Sequence, residues 1–488
     1  MLKRYFNPVH LIIMLSLISG ISSKAQVFDV VVDKNGHGDF TSVQAAINSV
    51  PGSLQTRTLI YVKNGIYNEK VVLSPTKTNL SLIGEDEKKI IISWDDNPQK
   101  GIPAADTYTF WADGPGFYAE NITIRNTSGN VGQALAIKTT GDTMVFKNCR
   151  FIGFQDTYYA NKRRQYNLKC YIEGATDFIY GDATTVFDSC TINCVKGGQY
   201  ISAPADTKLI TPLVGGRFLH GLLFRYCNVT ANDDVADNSY FLGRPWQPNS
   251  SSVFMNCTLG SHIKSEGWSV WSGNTNHESA YFAEYQNLNP DGSPADISGR
   301  VSWSNQVSDL WATNLYNLNF FLKSNNLVWD PVRVTKELAA PGNFKAEGNQ
   351  LTWAAVPDAI GYVVLKNDST IGFAVSTTFT DNSYQTGHQN YAVKSVSVNG
   401  ALSKSSGDEA TSSEIILNKK PGIVVLVRNN NLSFSEEVTY QLYSISGILL
   451  HSGKGLNTNL NGIKNGIYLV KTISSNGKTN LTKIVFNN

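Results

Sequence analysis

Asn121-Ile-Thr-Ile124, Cys149-Arg-Phe-Ile152, Cys170-Tyr-Ile172, Cys190-Thr-Ile192, Cys227-Asn-Val229 and Cys257-Thr-Leu259 are six versions of one phrase: a small or polar residue entering a short apolar strand. They begin 28, 21, 20, 37 and 30 residues apart. Irregular periods of about 20 or more, each giving one strand at an equivalent position, are what a parallel β-helix produces when loops are inserted on some coils. A sandwich would instead show hairpins every ~8–12 residues. The upstream segments agree with the solenoid: Phe28–Val32, Leu59–Val62, Leu80–Ile83 and Ile90–Ile92 are short, rich in branched residues and bounded by Gly, Asn, Asp or Pro. One helix is predicted over 41–50, with Thr41 or Ser42 as N-cap and Val43, Ala46, Ile47 and Val50 on one face. It would cap the open end of the core.

Composition narrows the function. The chain has 488 residues, so about three domains are expected at ~150 residues each. The net charge is +2 and only 16% of residues are charged, which excludes the polybasic or polyacidic character that recruits nucleic acid or anionic membrane. Hydrophobic residues at 41% suffice for real cores. Forty Gly and 16 Pro exclude collagen-like and low-complexity chains, and six Cys are too few for a disulfide-dense scaffold. At the N-terminus, Lys3 and Arg4 precede an apolar run from Leu11 to Ile21 and then Ser23-Lys-Ala25. This reads as an export signal over residues 1–25, cleaved after Ala25. A run of eleven residues is too short for the ~20 a bilayer core needs, and no later segment is long and apolar enough to span one. The expectation is a secreted or surface-attached protein in which disulfides are permitted.

The solenoid is expected over 26–335. Composition then shifts near Val334-Thr-Lys-Glu-Leu-Ala-Ala-Pro341, read as a linker. Leu351-Thr-Trp353, Gly361–Leu365 and Tyr391–Val396 alternate, with one Trp early and one Tyr late, and resemble a fibronectin type III sandwich over 336–413. Residues 414–488 contain Tyr440–Gly447, Asn465–Val470 and Lys483–Asn487, which resemble the C-terminal sorting domain of type IX secretion in Bacteroidetes; the plainer alternative is a second small sandwich. The fold class expected is all-β, a parallel β-helix followed by two small β-sandwich domains.

Polar residues beside the repeat strands carry the chemistry. Gln133 lies in Gly132-Gln-Ala, Gln155 and Asp156 in Phe154-Gln-Asp-Thr157, and Asp177 in Glu173-Gly-Ala-Thr-Asp-Phe-Ile-Tyr-Gly181. Gln155 follows Gln133 by 22 residues and Asp177 follows Asp156 by 21, close to one coil each. Residues one coil apart stack ~4.8 Å from each other, so the amides should be neighbours and so should the aspartates. Adjacent carboxylates repel, so one should keep its proton near neutrality while the other stays charged: an acid beside a nucleophile. Arg244, in Leu242-Gly-Arg-Pro-Trp246, has the planar fork to orient the charged one. Stacked Asn, Asp and Gln are also ordinary structural ladders of β-helices, so spacing alone does not establish catalysis.

These motifs resemble the pectin methylesterase family, carbohydrate esterases built on a right-handed β-helix. The likeness covers roughly 27–325 and runs, in the family's order, through Gly36-His-Gly-Asp-Phe40 with Val43-Gln-Ala-Ala-Ile47, Gly65-Ile-Tyr-Asn-Glu69, Gly132-Gln-Ala, Gln155-Asp-Thr157, Tyr171 to Ala183 and Leu242-Gly-Arg-Pro-Trp246. The resemblance implies Asp177 as nucleophile on the C6 methyl ester of a galacturonate unit and Asp156 as general acid and then base. It implies Gln133 and Gln155 as oxyanion donors, Arg244 as the residue holding the nucleophile, and Gln133, Tyr180, Arg244 and Trp246 as substrate-binding positions. Many relatives carry Phe where this chain has Tyr180. Tyr158 and Tyr159 either line the groove or pack. The implied partner is methyl-esterified homogalacturonan, acted on by a monomer without cofactor or metal; the type IX machinery is the expected export partner.

Cys149, Cys170 and Cys190 are each about one coil apart, so either neighbouring pair comes within disulfide reach, and Cys194 competes. The resemblance implies Cys170–Cys190. Rival readings are a polygalacturonase, a pectate lyase and a non-catalytic pectin-binding β-helix. His37 lies in a turn before Asp39-Phe40, and no Asn-Thr-Asp-Gly is present, against the first. No calcium-binding carboxylate cluster surrounds Arg244, against the second. Retention of both Asp, both Gln and the Arg argues against the third.

Overall fold

The computed structural model describes residues 26–205, 220–324, 327–386 and 389–406, and of the C-terminal segment 425–428, 431–444, 448–460, 463, 466–474 and 479–486. The export signal over 1–25 and the boundary expected at 413/414 lie outside the described residues.

Among the described residues, three parallel sheets of eleven, eight and seven strands form the walls of a right-handed β-helix. The repeated phrase of the sequence becomes one column of the eight-stranded sheet, where Ile124, Phe151, Ile172, Ile192, Val229 and Leu259 stand in register and face the core. The corner before each strand explains the phrase. Asn121, Asn148, Lys169, Ser189, Tyr226 and Asn256 all take left-handed φ, between 50° and 58°, and turn the chain so that the next residue points inward. That next residue is Ile122, then Cys149, Cys170, Cys190, Cys227 and Cys257, all buried.

Five of the cysteines therefore form a thiol ladder, and the implied Cys170–Cys190 bond is not made: all six cysteines, Cys194 included, are free. Each ladder thiol sits against carbonyls instead; Cys170 Sγ lies 3.4 Å from Phe146 O and Cys190 Sγ 3.4 Å from Asn167 O. Burial pushes both thiols well above their usual range, which suppresses the thiolate that disulfide formation requires.

The helix is Val43–Ser49. Ser42 is its N-cap, accepting from Ala45 N–H at 3.1 Å, and Val43, Ala46 and Ile47 are buried over the first coil. Glu69 accepts from Val43 and Gln44 N–H at 2.7 and 2.9 Å, which ties the cap to the solenoid and suits the positive end of the helix.

The outer face of the eleven-stranded sheet is apolar, and later chain covers it. Val307, Leu315, Tyr316, Phe321 and Leu322 pack on Val145, Tyr166, Val186, Leu223 and Val253 as the chain returns toward the first coils. The stretch read as a linker is packed: Pro331–Thr335 is helical, and Glu337 pairs with Lys147 at 3.0 Å. Two three-stranded antiparallel sheets follow. One comprises Lys345–Glu347, Gln350–Thr352 and Thr378–Thr380; the other comprises Gly361–Lys366, Ser369–Ala374 and Tyr391–Val396. They close on Leu351, Trp353, Tyr362, Val364 and Val393, as the alternating pattern predicts. The last strands form a five-stranded antiparallel sheet.

Candidate active site

The seven-stranded sheet carries an outward row in strict register: Val72, Trp111, Lys138, Tyr159, Tyr180 and Ala203. Where the chain enters this sheet, Gln133 bridges Gln155 and Gln155 bridges Thr176, one coil apart as the spacing predicts. The two aspartates are brought together by the same stacking, with Asp156 N–H donating to Thr176 O at 3.1 Å beside Asp177. Both sit at positive φ, 63° for Asp156 and 49° for Asp177. The same left-handed turn that the other coil corners use sets the direction of these two carboxyls. For Asp177 a β-bulge contributes, since register against the next strand slips between Thr176 and Ile179.

Arg244, from the coil after next, completes the cluster. Its Nε and Nη2 donate to the two oxygens of Asp177 at 2.9 and 2.6 Å, a bidentate fork on a carboxylate only 6% exposed. The Gln155 amide and the Tyr180 hydroxyl lie beside Asp156 and favour its charged form. The two carboxyls are unequal. Burial raises the Asp156 carboxyl well above its usual range, and the charge of Asp177 raises it further, against Arg244, Gln155 and Tyr180, which favour the charged form. Burial also raises Asp177, but Arg244 opposes this directly through its hydrogen bonds and its charge. The arrangement favours a proton on Asp156 over one on the Arg244-held Asp177, as needed for nucleophilic attack followed by protonation of a leaving group.

An aromatic floor adjoins the carboxyls. Tyr159 and Tyr180 stack face to face at 4.3 Å, and Trp246 meets Tyr180 edge-on at 5.7 Å. Tyr158 and Tyr159 divide by pleat: Tyr158 is wholly buried in the core and Tyr159 is outward. Trp246 is part-exposed rather than core filler. His37, as expected, is an exposed turn residue, 78% exposed at its side chain. Sequence reasoning missed Tyr200 and Trp271, whose rings flank the Arg244 guanidinium at 3.8 and 4.1 Å. Tyr200 was findable as the aromatic opening the strand Tyr200–Pro204, one coil before the strand that leads into Arg244. Trp271 lies outside any strand, and only its spacing from buried Trp268 hinted at an outward position. Among the described residues, no three His, Cys, Asp or Glu side chains converge as metal ligands, and no helix is long and apolar enough to cross a membrane.

Residues 29–325 match the family model described as Pectinesterase. Among curated proteins, putative pectinesterase/pectinesterase inhibitor 45 of Arabidopsis thaliana is 37% identical over 295 residues, covering 59% of this chain and 47% of that protein. Pectinesterase 4 of the same plant is 34% identical over 283 residues, covering 56% and 47%. The chain spans about half the length of the curated relatives it matches. Among solved structures, pectin methylesterase from carrot aligns with TM-score 0.56 at 30% identity, covering 60% of this chain and 93% of that one. A pectin methylesterase from Erwinia chrysanthemi aligns with TM-score 0.53 at 26% identity, covering 62% and 98%.

Proposed function

The chain belongs to the pectinesterase family, and we propose from that premise that it hydrolyses the C6 methyl esters of homogalacturonan, releasing methanol and leaving pectate. The observation that carries this is the Arg244 fork on Asp177 beside a half-buried Asp156 whose carboxyl is pushed well above its usual range. In the proposed reaction an Asp177 oxygen attacks the ester carbonyl, and the carbonyl oxygen takes the negative charge. The side-chain amides of Gln133 and Gln155, stacked one coil apart, donate to that oxygen. The C–O bond to methanol then breaks as Asp156 gives its proton to the departing oxygen. The resulting acyl-enzyme is an anhydride of Asp177. Water attacks it while Asp156 takes back a proton, and both carboxyls return to their starting states. Tyr180 and Trp246 form part of the surface on which sugar rings rest.

The near-neutral net charge of +2 suits this substrate, whose carboxyls are esterified and ask for little positive attraction. Methanol and unsaturated products assayed together separate an esterase from a lyase; the expectation is methanol alone. Asp177→Ala and Asp156→Ala should each abolish most release, and wild-type rates in either would overturn the assigned roles.

The remaining proposals rest on sequence pattern. The enzyme is exported through the 1–25 signal and acts as a monomer outside the cell. The antiparallel sheets over 345–396 are a fibronectin type III-like module, and the C-terminal strands are a type IX sorting domain. Deleting residues after about 415 should strand the activity in the periplasm; unchanged extracellular activity would refute the sorting role.

A further inference from the structure

Arg244 is held from three sides. The fork to Asp177 fixes its edge, and each of its faces carries a ring: Tyr200 at 3.8 Å and Trp271 at 4.1 Å from the guanidinium carbon to the ring centroid. A planar cation between two rings cannot turn about its last torsion without losing one of them, and cation–π attraction strengthens as water is excluded. The Tyr200 wall is backed. Tyr200 stacks on Phe241 of the next coil at 5.6 Å, with planes 11° apart. Trp271 follows Trp268 by three residues, and Trp268 is 1% exposed and locked edge-on against Phe282 at 5.0 Å. Trp271 itself is part-exposed, so it roofs Arg244 from the solvent side.

We propose that Tyr200 and Trp271 are positioning residues for the esterase reaction, forming an aromatic clamp that keeps the Arg244 fork in the plane of the Asp177 carboxylate and shields it from water. The clamp rests on Asp177 being the nucleophile. A loosened fork would both misaim the attacking oxygen and leave the buried Asp177 carboxylate less compensated, so that it ionises at higher pH. A wall that merely stacked on sugar would instead govern substrate affinity.

The test is methanol release from methyl-esterified homogalacturonan, followed from acid to mildly alkaline pH for Trp271→Ala, Trp271→Phe, Tyr200→Leu, Tyr200→Phe and Asp177→Asn in the full chain, with thermal melting of each. Trp271→Ala and Tyr200→Leu should lower kcat about tenfold, the scale of one lost cation–π contact, with KM little changed. They should also move the acid limb of the profile to higher pH, and the two Phe variants should restore most of both. If Trp271→Ala fails to fold, the Tyr200→Leu and Tyr200→Phe pair carries the same comparison. A rise in KM with kcat and acid limb unchanged would overturn the clamp and make Trp271 a sugar platform. Wild-type release by Asp177→Asn would instead overturn the reading of the site, a result no clamp variant can mimic.

Discussion

Arg244→Gln separates stability from chemistry at the centre of the site. The substitution removes both charge-assisted hydrogen bonds from a carboxylate that is 6% exposed. Breaking a buried pair by deleting one partner typically costs about 3–5 kcal/mol, because the remaining charge is left uncompensated. Asp177 can escape part of that cost by taking a proton, so the deficit must depend on pH. Its folded pKa is already raised by burial, with Arg244 opposing; without Arg244 it rises further above the unfolded value of ~3.9. A carboxyl whose folded pKa is raised costs nothing below the unfolded pKa. The cost grows as pH climbs between the unfolded and folded values, at about 1.4 kcal/mol per unit, and is constant above. Urea unfolding of wild type and variant across acid to neutral pH should therefore show a small deficit in acid and one of about 3–5 kcal/mol at neutrality. Adding Asp177→Asn should recover most of the lost stability and none of the activity. A deficit that does not change with pH, or a double variant no more stable than the single, would refute the electrostatic account.

Gln155→Ala should lower kcat about 10²–10³-fold with little change in melting temperature, measured as methanol release; an unchanged rate removes it from the oxyanion site. Tyr180→Phe removes a hydroxyl that favours the ionised form of Asp156, so the alkaline limb of the pH–rate profile should move to higher pH, where Asp156 would still hold its proton. Lys147→Met strands Glu120, 3.1 Å away and 1% exposed, along with Glu337, and should cost about 3–5 kcal/mol in denaturant unfolding, much of it recovered by adding Glu120→Gln. Phe373→Ala breaks a ring cluster with Phe28 and Tyr61, at 5.1 and 5.0 Å, and should speed proteolysis of the 345–396 sheets while leaving methanol release unchanged.

The solenoid was legible because its register is a matter of counting. One coil returns each inward residue above its predecessor, so the spacings of the six phrases translate directly into the column from Ile124 to Leu259. The same counting placed Gln133 beside Gln155 and Asp156 beside Asp177. It could not reveal their left-handed backbone or the bulge at Asp177, because those depend on how local strain is absorbed by the neighbouring coil. The cysteines mark the opposite limit: stacking distance is necessary for a disulfide, but carbonyl contacts and burial favour the thiols here. The Tyr200–Arg244–Trp271 sandwich joins three segments at unrelated spacings, and no single periodicity contains it.

The C-terminal half changes meaning once packing is considered. A sandwich on a free linker would be a spacer, whereas here the linker is a strap and the sheets are docked. Tyr61 Oη meets Thr370 Oγ1 at 2.7 Å, Ser81 Oγ donates to Asn399 O at 2.8 Å, and Gly400, at φ 87°, comes so close that a Cβ would meet Ile83 at 2.8 Å. These contacts fall on the outer face of the eleven-stranded sheet, while the site lies on the seven-stranded one. The eleven-stranded sheet is apolar on both sides, so it needs cover along its length, and the strap and docked sheets supply it. A wall that meets a polymer, as proposed for the seven-stranded sheet, needs the reverse, an open face on a rigid frame. Among the described residues, the strap and docked sheets cover the eleven-stranded wall, while Asp156 and Asp177 sit at the seven-stranded one.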